Sequence, residues 1–412
     1  VSARALTHPF ARRALFALLY FSEGAPIGYV WWAMPTRLRQ AGMPVEEVAA
    51  LTAMLTLPWA FKFLWAPFVD RLRGPRWGYR AWITVAQVAM GLSLLPLGFL
   101  DAQSLATYAT IFLLAHSISA ATQDVAIDAM AIATIPHEER ARTTGWMQAG
   151  MLVGRAAFGG LALAAEAWIG AENVVFILVG CVWTTLAILW IAPALPIVSE
   201  RAQETERGSL LGLIARALRR RSTWIGLGVA LTAGAGFEAT GGLIGPMLTD
   251  RGAAQESIGW FFALPVVTLM IVGGLLGGFV ADRAGHRRMV IASILAIAAC
   301  VGSIALVDAL TIDAWLAIMV VASPLYLFIG SLTASSYALF MDLTDPAIGG
   351  TQFSAFMGAT NLCEVWAIAL GGALAGSIGY GAGLLAPVAV SLLAIGLVLA
   401  LRNGAEDKAA RI

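Results

Sequence analysis

Long apolar runs recur at short intervals along this chain, and no other feature constrains its folding as tightly. A helix that crosses a bilayer needs about 20 mostly apolar residues, and it must satisfy its own backbone hydrogen bonds because the hydrocarbon offers none. Twelve stretches meet that demand: residues 13–34, 46–66, 81–100, 104–134, 146–167, 173–193, 223–248, 257–281, 289–309, 312–341, 351–377 and 382–402. Only 12% of the residues are charged, against about 25% in an ordinary soluble domain. The pattern predicts an all-α membrane protein with twelve transmembrane helices embedded in a lipid bilayer. The N-terminus runs into the first span with no small-residue cleavage site, so no cleaved leader is expected.

One connection is long. Residues 194–222 hold Glu200, Arg201, Glu204, Glu206 and Arg207, then Arg216, Arg219, Arg220 and Arg221. They divide the chain into a six-helix half over 1–193, a linker over 194–222 and a second six-helix half over 223–412. Leu210, Leu211, Leu213, Ile214 and Leu218 fall at helical spacing beside the arginines. They fit either an interfacial amphipathic helix or a solvated basic linker. Cytoplasmic loops carry an excess of Lys and Arg. Of the 26 such residues all but Arg37, Arg39, Lys62, Arg155 and Arg251 fall at the N-terminus, the 2–3, 4–5 and 8–9 loops, the linker and the C-terminus. Both termini and the linker are therefore expected on the cytoplasmic side.

The halves echo each other. Span 2 ends in Ala66-Pro67-Phe68-Val69-Asp70-Arg71, and span 8 in Gly278-Phe279-Val280-Ala281-Asp282-Arg283. Spans 1 and 7 each carry a glutamate with a proline beyond it: Glu23 with Pro26, and Glu238 with Pro246. Gly277-Gly278-Phe279-Val280-Ala281-Asp282-Arg283-Ala284-Gly285-His286-Arg287-Arg288 resembles the G-x-x-x-D-R-x-G-R/H-R/K signature of the major facilitator superfamily. The resemblance implies a fold of two six-helix halves related as parallel repeats. In it Asp282, Arg283 and Arg287 latch the cytoplasmic face, and Asp70 and Arg71 do so in the first half.

A narrower resemblance rests on three stretches. Leu57-Pro58-Trp59-Ala60-Phe61-Lys62-Phe63-Leu64-Trp65-Ala66-Pro67-Phe68-Val69-Asp70-Arg71 is similar to the second helix of AmpG-type permeases. Leu19-Tyr20-Phe21-Ser22-Glu23-Gly24-Ala25-Pro26 resembles their first helix, and Thr122-Gln123-Asp124-Val125-Ala126-Ile127-Asp128-Ala129 their fourth. That group includes muropeptide permeases, siderophore-uptake permeases and acetyl-CoA transporters. The resemblance implies a secondary transporter driven by an ion gradient. One position departs: where the group shows G-Y-R-x-G early in span 5, this chain reads Gly150-Met151-Leu152-Val153-Gly154, and an arginine follows at Arg155. No apolar run follows residue 402 in these 412 residues, so the two extra C-terminal spans of some muropeptide permeases are not expected.

Carboxylates inside spans are costly to desolvate and usually functional. Glu23, Glu238 and Glu364 are read as proton or substrate sites or as structural partners of neighbouring helices. Asp124 and Asp128, four apart, share one helix face. Asp124, with Gln123 beside it, is expected at the central cavity. Asp128, a turn nearer the cytoplasm, is expected at the gate beside Arg71, and Asp342 is expected to match it beside Arg283. Arg155 suits an anionic substrate group through its planar fork, or else pairs with Glu23 or Asp124. Lys62 is read as structural. Trp59 is either an interfacial anchor or a surface on which a ring of the substrate stacks. His116 is read as a helix–helix hydrogen-bond partner. Gly150, Gly154, Gly273, Gly274, Gly277, Gly278, Gly371 and Gly372 read as close helix packing. Cys181, Cys300 and Cys363 sit in apolar runs and read as packing residues.

Several classes are excluded. There is no G-x-x-x-x-G-K-S/T loop for a nucleotide, no metal motif and no nucleophile elbow, and the loops are too short for a soluble catalytic domain. No enzyme activity, cofactor, metal or nucleic acid is expected. The expected function is proton-coupled uptake of a small molecule by a monomer in a bacterial inner membrane. A muropeptide-like or other amphiphilic metabolite is the first expectation for substrate. A siderophore importer, a drug or metabolite exporter, and a non-transporting assembly factor or sensor are the alternatives.

Overall fold

The computed structural model describes residues 8–71, 78–99, 102–135, 139–193, 218–310, 315–344 and 349–401. The linker over 194–217, the termini, and Arg73 and Arg76 lie outside the described residues, as do the side chains of Asp70 and Arg71. Among the described residues the regular structure is helical throughout, with no strand. Twelve long helices follow the twelve apolar runs. They are α1 (9–40), α2 (Val45–Leu64), α3 (Tyr79–Gly98), α4 (Ala102–Thr134), α5 (140–169) and α6 (Ala171–Ile191), then α7 (Arg221–Asp250), α8 (Gln255–Ala284), α9 (His286–Leu310), α10 (Trp315–Leu343), α11 (Gly349–Ser377) and α12 (Tyr380–Ala400). All but α1 pass as membrane spans on length and apolarity alone. Helix α1 carries five charged residues: Arg12, Arg13, Glu23, Arg37 and Arg39. Helices α1, α5, α7, α8 and α9 extend past their apolar runs at both ends.

The helices are not uniform. Helix α2 is α-helical to Phe61, tightens to a 3-10 turn over Lys62–Leu64, and is followed by a short helix Ala66–Arg71. Pro67 lacks the N–H that would bond to the Phe63 carbonyl, so the break falls there. Helices α1, α5 and α8 each contain one π-helical turn, at Tyr29–Ala33, Ala156–Leu161 and Phe262–Val266.

Contacts gather the chain into two compact units. Unit 1 comprises Val1–Ala41, Met54–Thr205 and Ala253–Val267, and unit 2 comprises Gly42–Ala53, Glu206–Gly252 and Thr268–Ile412. Each takes one short segment from the stretch of sequence that otherwise forms the other. In unit 1 the start of α8 seats on α5. A Cβ on Gly259 would stand 2.4 Å from the Ala164 nitrogen, and one on Gly160 would stand 2.4 Å from the Ala263 nitrogen. The Gln255 amide donates to the Leu163 carbonyl at 3.2 Å, and Trp32 stacks on Phe262 at 5.2 Å. In unit 2 the start of α2 seats on α11, where a Cβ on Gly372 would fall 2.0 Å from the Ala49 Cβ.

Unit 1 is built on the pairing of α1 with α5. A Cβ on Gly24 would lie 2.1 Å from the Met151 carbonyl oxygen, and one on Gly150 would lie 2.0 Å from that of Ala17. Both helices therefore need glycine for their backbones to touch. Unit 2 repeats the device between α8 and α10, where Gly273 faces the Leu327 carbonyl at 1.8 Å from an added Cβ.

Candidate functional site

Four helices of unit 1 bring their polar residues to matching depths. Consecutive spans alternate in direction, so residues after Glu23 on α1 and after Gln87 on α3 point the same way as residues before Lys62 on α2 and before Asp124 on α4. Side chains three or four apart lie on one face. Each helix therefore offers the same sequence of layers.

The central layer holds the charges. The Lys62 ammonium donates to Asp124 Oδ2 in a close ion pair. The lysine side chain is 24% exposed and the aspartate 8%. Glu23 is 2% exposed, and its Oε2 has no hydrogen-bond partner among the described residues. Its charged neighbours are Asp124, Lys62, Asp128 and Arg155. Beside it, Ser22 Oγ donates to the Leu19 carbonyl at 2.7 Å and accepts from Gln87 at 2.9 Å and Gln123 at 3.5 Å. Gln87 Oε1 and Gln123 Oε1 are buried and have no hydrogen-bond partner among the described residues.

One turn along, toward the start of α1, the Tyr20 hydroxyl donates to Asp128 Oδ1. One turn the other way the layer is apolar and aromatic: Ile27, Trp59, Met90, Ala120, Ala121 and Val182, with Trp31, Trp65 and Trp183 packed on them. Trp31 meets Trp59 edge to face at 5.2 Å.

The sequence expectations fall into place unevenly. Glu23, Gln123, Asp124 and Arg155 come together in unit 1. Arg155 closes the α-helical part of α5 at the start of its π turn. Its Nε is buried and without a hydrogen-bond partner among the described residues. Asp124 takes Lys62 as its ion-pair partner, so the pairing considered between Arg155 and Asp124 is not made. The reading of Lys62 as merely structural overlooked that partnership. The signal was present: a lysine inside a span needs a counter-charge, and Asp124 lies at the same depth. Asp128 takes its hydrogen bond from Tyr20, a partner the sequence reading did not name. His116 sets Nδ1 at 3.4 Å from the Met90 carbonyl, as a bridge between α4 and α3.

In unit 2, Glu238 on α7 and Glu364 on α11 both lie within electrostatic reach of Cys363. At the far end of the same unit, Asp342 pairs with His286, at 2.6 Å from Nδ1, rather than with Arg283. Asp282 reaches the other ring nitrogen at 3.6 Å. Arg283 instead lies over the Phe279 ring, 3.5 Å from its centroid. Arg287 donates to the Val398 carbonyl at 3.0 Å, at the end of α12. Histidine His286 thus takes the bridging place expected of Arg283, because the positive-φ turn at Gly285 carries it back toward α10.

A bundle of twelve membrane helices, with charge buried inside one unit and an acidic–basic turn closing α8, is the architecture of a solute carrier. The family model of the Major Facilitator Superfamily matches residues 16–244 and 226–411, and the chain belongs to that family. Membership of that family makes it a multi-pass membrane protein of the transporter class. It is similar to the anhydromuropeptide permease of Escherichia coli (strain K12), with 28% identity over 185 residues. That match spans 42% of this chain and 37% of the permease. A Rickettsia conorii protein named as transporter AmpG 4 is 23% identical over 94% of this chain and 95% of its own. Among solved structures, a D-xylose-proton symporter superposes with a TM-score of 0.74 at 14% identity, covering 96% of this chain and 98% of that one. At that identity the likeness shows the fold.

Proposed function

We propose that this transporter couples the uptake of a muropeptide-like, amphiphilic metabolite to protons by alternating access. It would act as a monomer in a bacterial inner membrane with both termini in the cytoplasm. One observation carries the coupling: unit 1 gathers three carboxyl groups, the buried Glu23 and Asp124 and the half-buried Asp128, around Lys62 and Arg155. Fully ionised, that set holds one more negative charge than positive. A buried net charge is costly in low dielectric, and a single bound proton removes it. Glu23, whose Oε2 has no hydrogen-bond partner among the described residues, and Asp124, held by Lys62, are the two groups placed to take that proton. Neutralising the cluster lowers the cost of moving it past hydrocarbon, which ties proton binding to reorientation. Arg155 supplies an open donor for an anionic part of the substrate. The substrate class rests on the three helix motifs and on the likeness to the E. coli permease.

The test is a pH-jump transport assay in proteoliposomes, with a radiolabelled anhydromuropeptide as solute. Inward-directed acid is expected to drive accumulation, and Glu23→Gln and Asp124→Asn to abolish the dependence on the gradient. Uptake that ignores the gradient and is unchanged in both variants rejects the coupling.

A further inference from the structure

The partner that Asp124 holds is the more open member of the pair, and it sits where its helix is weakest. Lys62 begins the 3-10 turn that follows Phe61, whose backbone has already left the α-helical basin at φ −105° and ψ 3°. Its side chain is three times as exposed as that of Asp124. Among the described residues the charged and titratable groups around it are Tyr20 and Glu23 from α1, Asp124 and Asp128 from α4, and Arg155 from α5, while α3 contributes the amide of Gln87. Three of these are acidic, so an extra anion cannot simply be added. A proton placed on Asp124 alone would strand the ammonium of Lys62, and an anion placed at Lys62 alone would crowd a fourth negative charge into the cluster. Together the two changes leave the local charge as it was.

We propose that Lys62 is the binding group for a carboxylate of the substrate, and that Asp124 is the counter-ion this carboxylate displaces. Asp124 takes a proton from water and becomes a neutral acid. The Lys62 ammonium keeps its three protons and exchanges one carboxylate partner for another. Proton and anion enter as a neutral pair because neither is favourable without the other. The inference rests on the symport reading above and adds to it the chemistry of the recognised group, a free carboxylate. The Trp31–Trp59 pair, one turn away, places an apolar wall beside that group.

Binding to the full chain purified in detergent tests this, read as quenching of tryptophan fluorescence, since Trp59 and Trp65 stand three residues either side of Lys62. The probes are an anhydromuropeptide with free carboxylates, its methyl ester, and acetate as the smallest carboxylate. Titrations at about pH 5.5 and about pH 8 should show wild type binding the free acid about tenfold tighter in acid, because a proton enters with it. Asp124→Asn should bind it equally at both pH values. Lys62→Met should lose about tenfold in acid, and Lys62→Arg should recover most of it. The double variant Lys62→Met with Asp124→Asn removes both charges, leaves neither stranded, and should bind the free acid alike at both pH values. If Lys62→Met binds the muropeptide like wild type, or Asp124→Asn keeps the wild-type pH dependence, the exchange is wrong while the muropeptide reading stands. If acetate binds through Lys62 and the muropeptide does not bind at all, the exchange holds and the muropeptide reading falls. If no probe binds in a Lys62-dependent way, the exchange is rejected.

Discussion

At the scale of the residue, the chemistry of unit 1 comes down to which carboxyl oxygen has a partner. Asp124 has Lys62, Asp128 has Tyr20, and Glu23 Oε2 has none among the described residues. Removing the Tyr20 hydroxyl takes the donor from a half-buried Asp128 oxygen, a loss of about 1 kcal/mol. Tyr20→Phe should therefore lower the thermal midpoint in detergent, and Tyr20→Phe combined with Asp128→Asn should lose less than the two singles added together. Additive losses would show that the hydroxyl and the carboxyl do not interact. The carboxylates and the lysine were visible in the sequence as expensive residues inside spans. Their pairing was not, because Lys62 and Asp124 stand 62 residues apart and only the rotation of α2 and α4 about their axes turns them together.

At the scale of the element, glycines and π turns decide how closely helices meet. Gly150 and Gly154 were read as close-packing residues, and the structure places both against α1. A Cβ at Gly154 would sit 2.6 Å from the Phe21 carbonyl oxygen. Gly150→Val should cost about 1–3 kcal/mol or more by overpacking a backbone contact. Gly180→Val, where an added Cβ meets nothing within 4 Å, should stay within about 0.5 kcal/mol of wild type. Thermal melts of the two purified variants check the contrast. The three π turns were invisible in the sequence. A π turn inserts one residue into a helix without changing its hydropathy pattern, and such turns often accompany functional sites. All three lie inside unit 1, where those of α1, α5 and α8 pack side by side.

At the scale of the whole molecule, each compact unit includes one short segment from the stretch of sequence that otherwise forms the other. Residues 253–267 pack in unit 1 although they run on without a break into the part of α8 that packs in unit 2. Alternating access has to part that seating on α5 or carry it along. A cysteine pair at Leu163 and Gln255 probes this, with Cys181, Cys300 and Cys363 first replaced. Oxidation should arrest transport and reduction should restore it. Unimpaired transport by the fully cross-linked protein would show that the seating never opens. The orientation proposed from Lys and Arg is checked separately, by fusing to the C-terminus a reporter that is active only in the cytoplasm. The expected outcome is an active reporter.

Hydropathy is a one-dimensional property, and the one-dimensional conclusions followed from the residues alone: a membrane protein, twelve helices and a superfamily. The turn after α8 was legible as a motif, but its contacts were not. His286, not Arg283, meets Asp342, since a single positive-φ glycine redirects the chain there. Which charge faces which, which helices carry a π turn, and which short segments pack away from their neighbours in sequence were decided by the tertiary structure. The physical reason is that helices apolar around most of their circumference leave rotation and partner choice undetermined. Backbone contacts at glycine and the cost of an unpaired buried charge settle both only when the whole bundle has assembled.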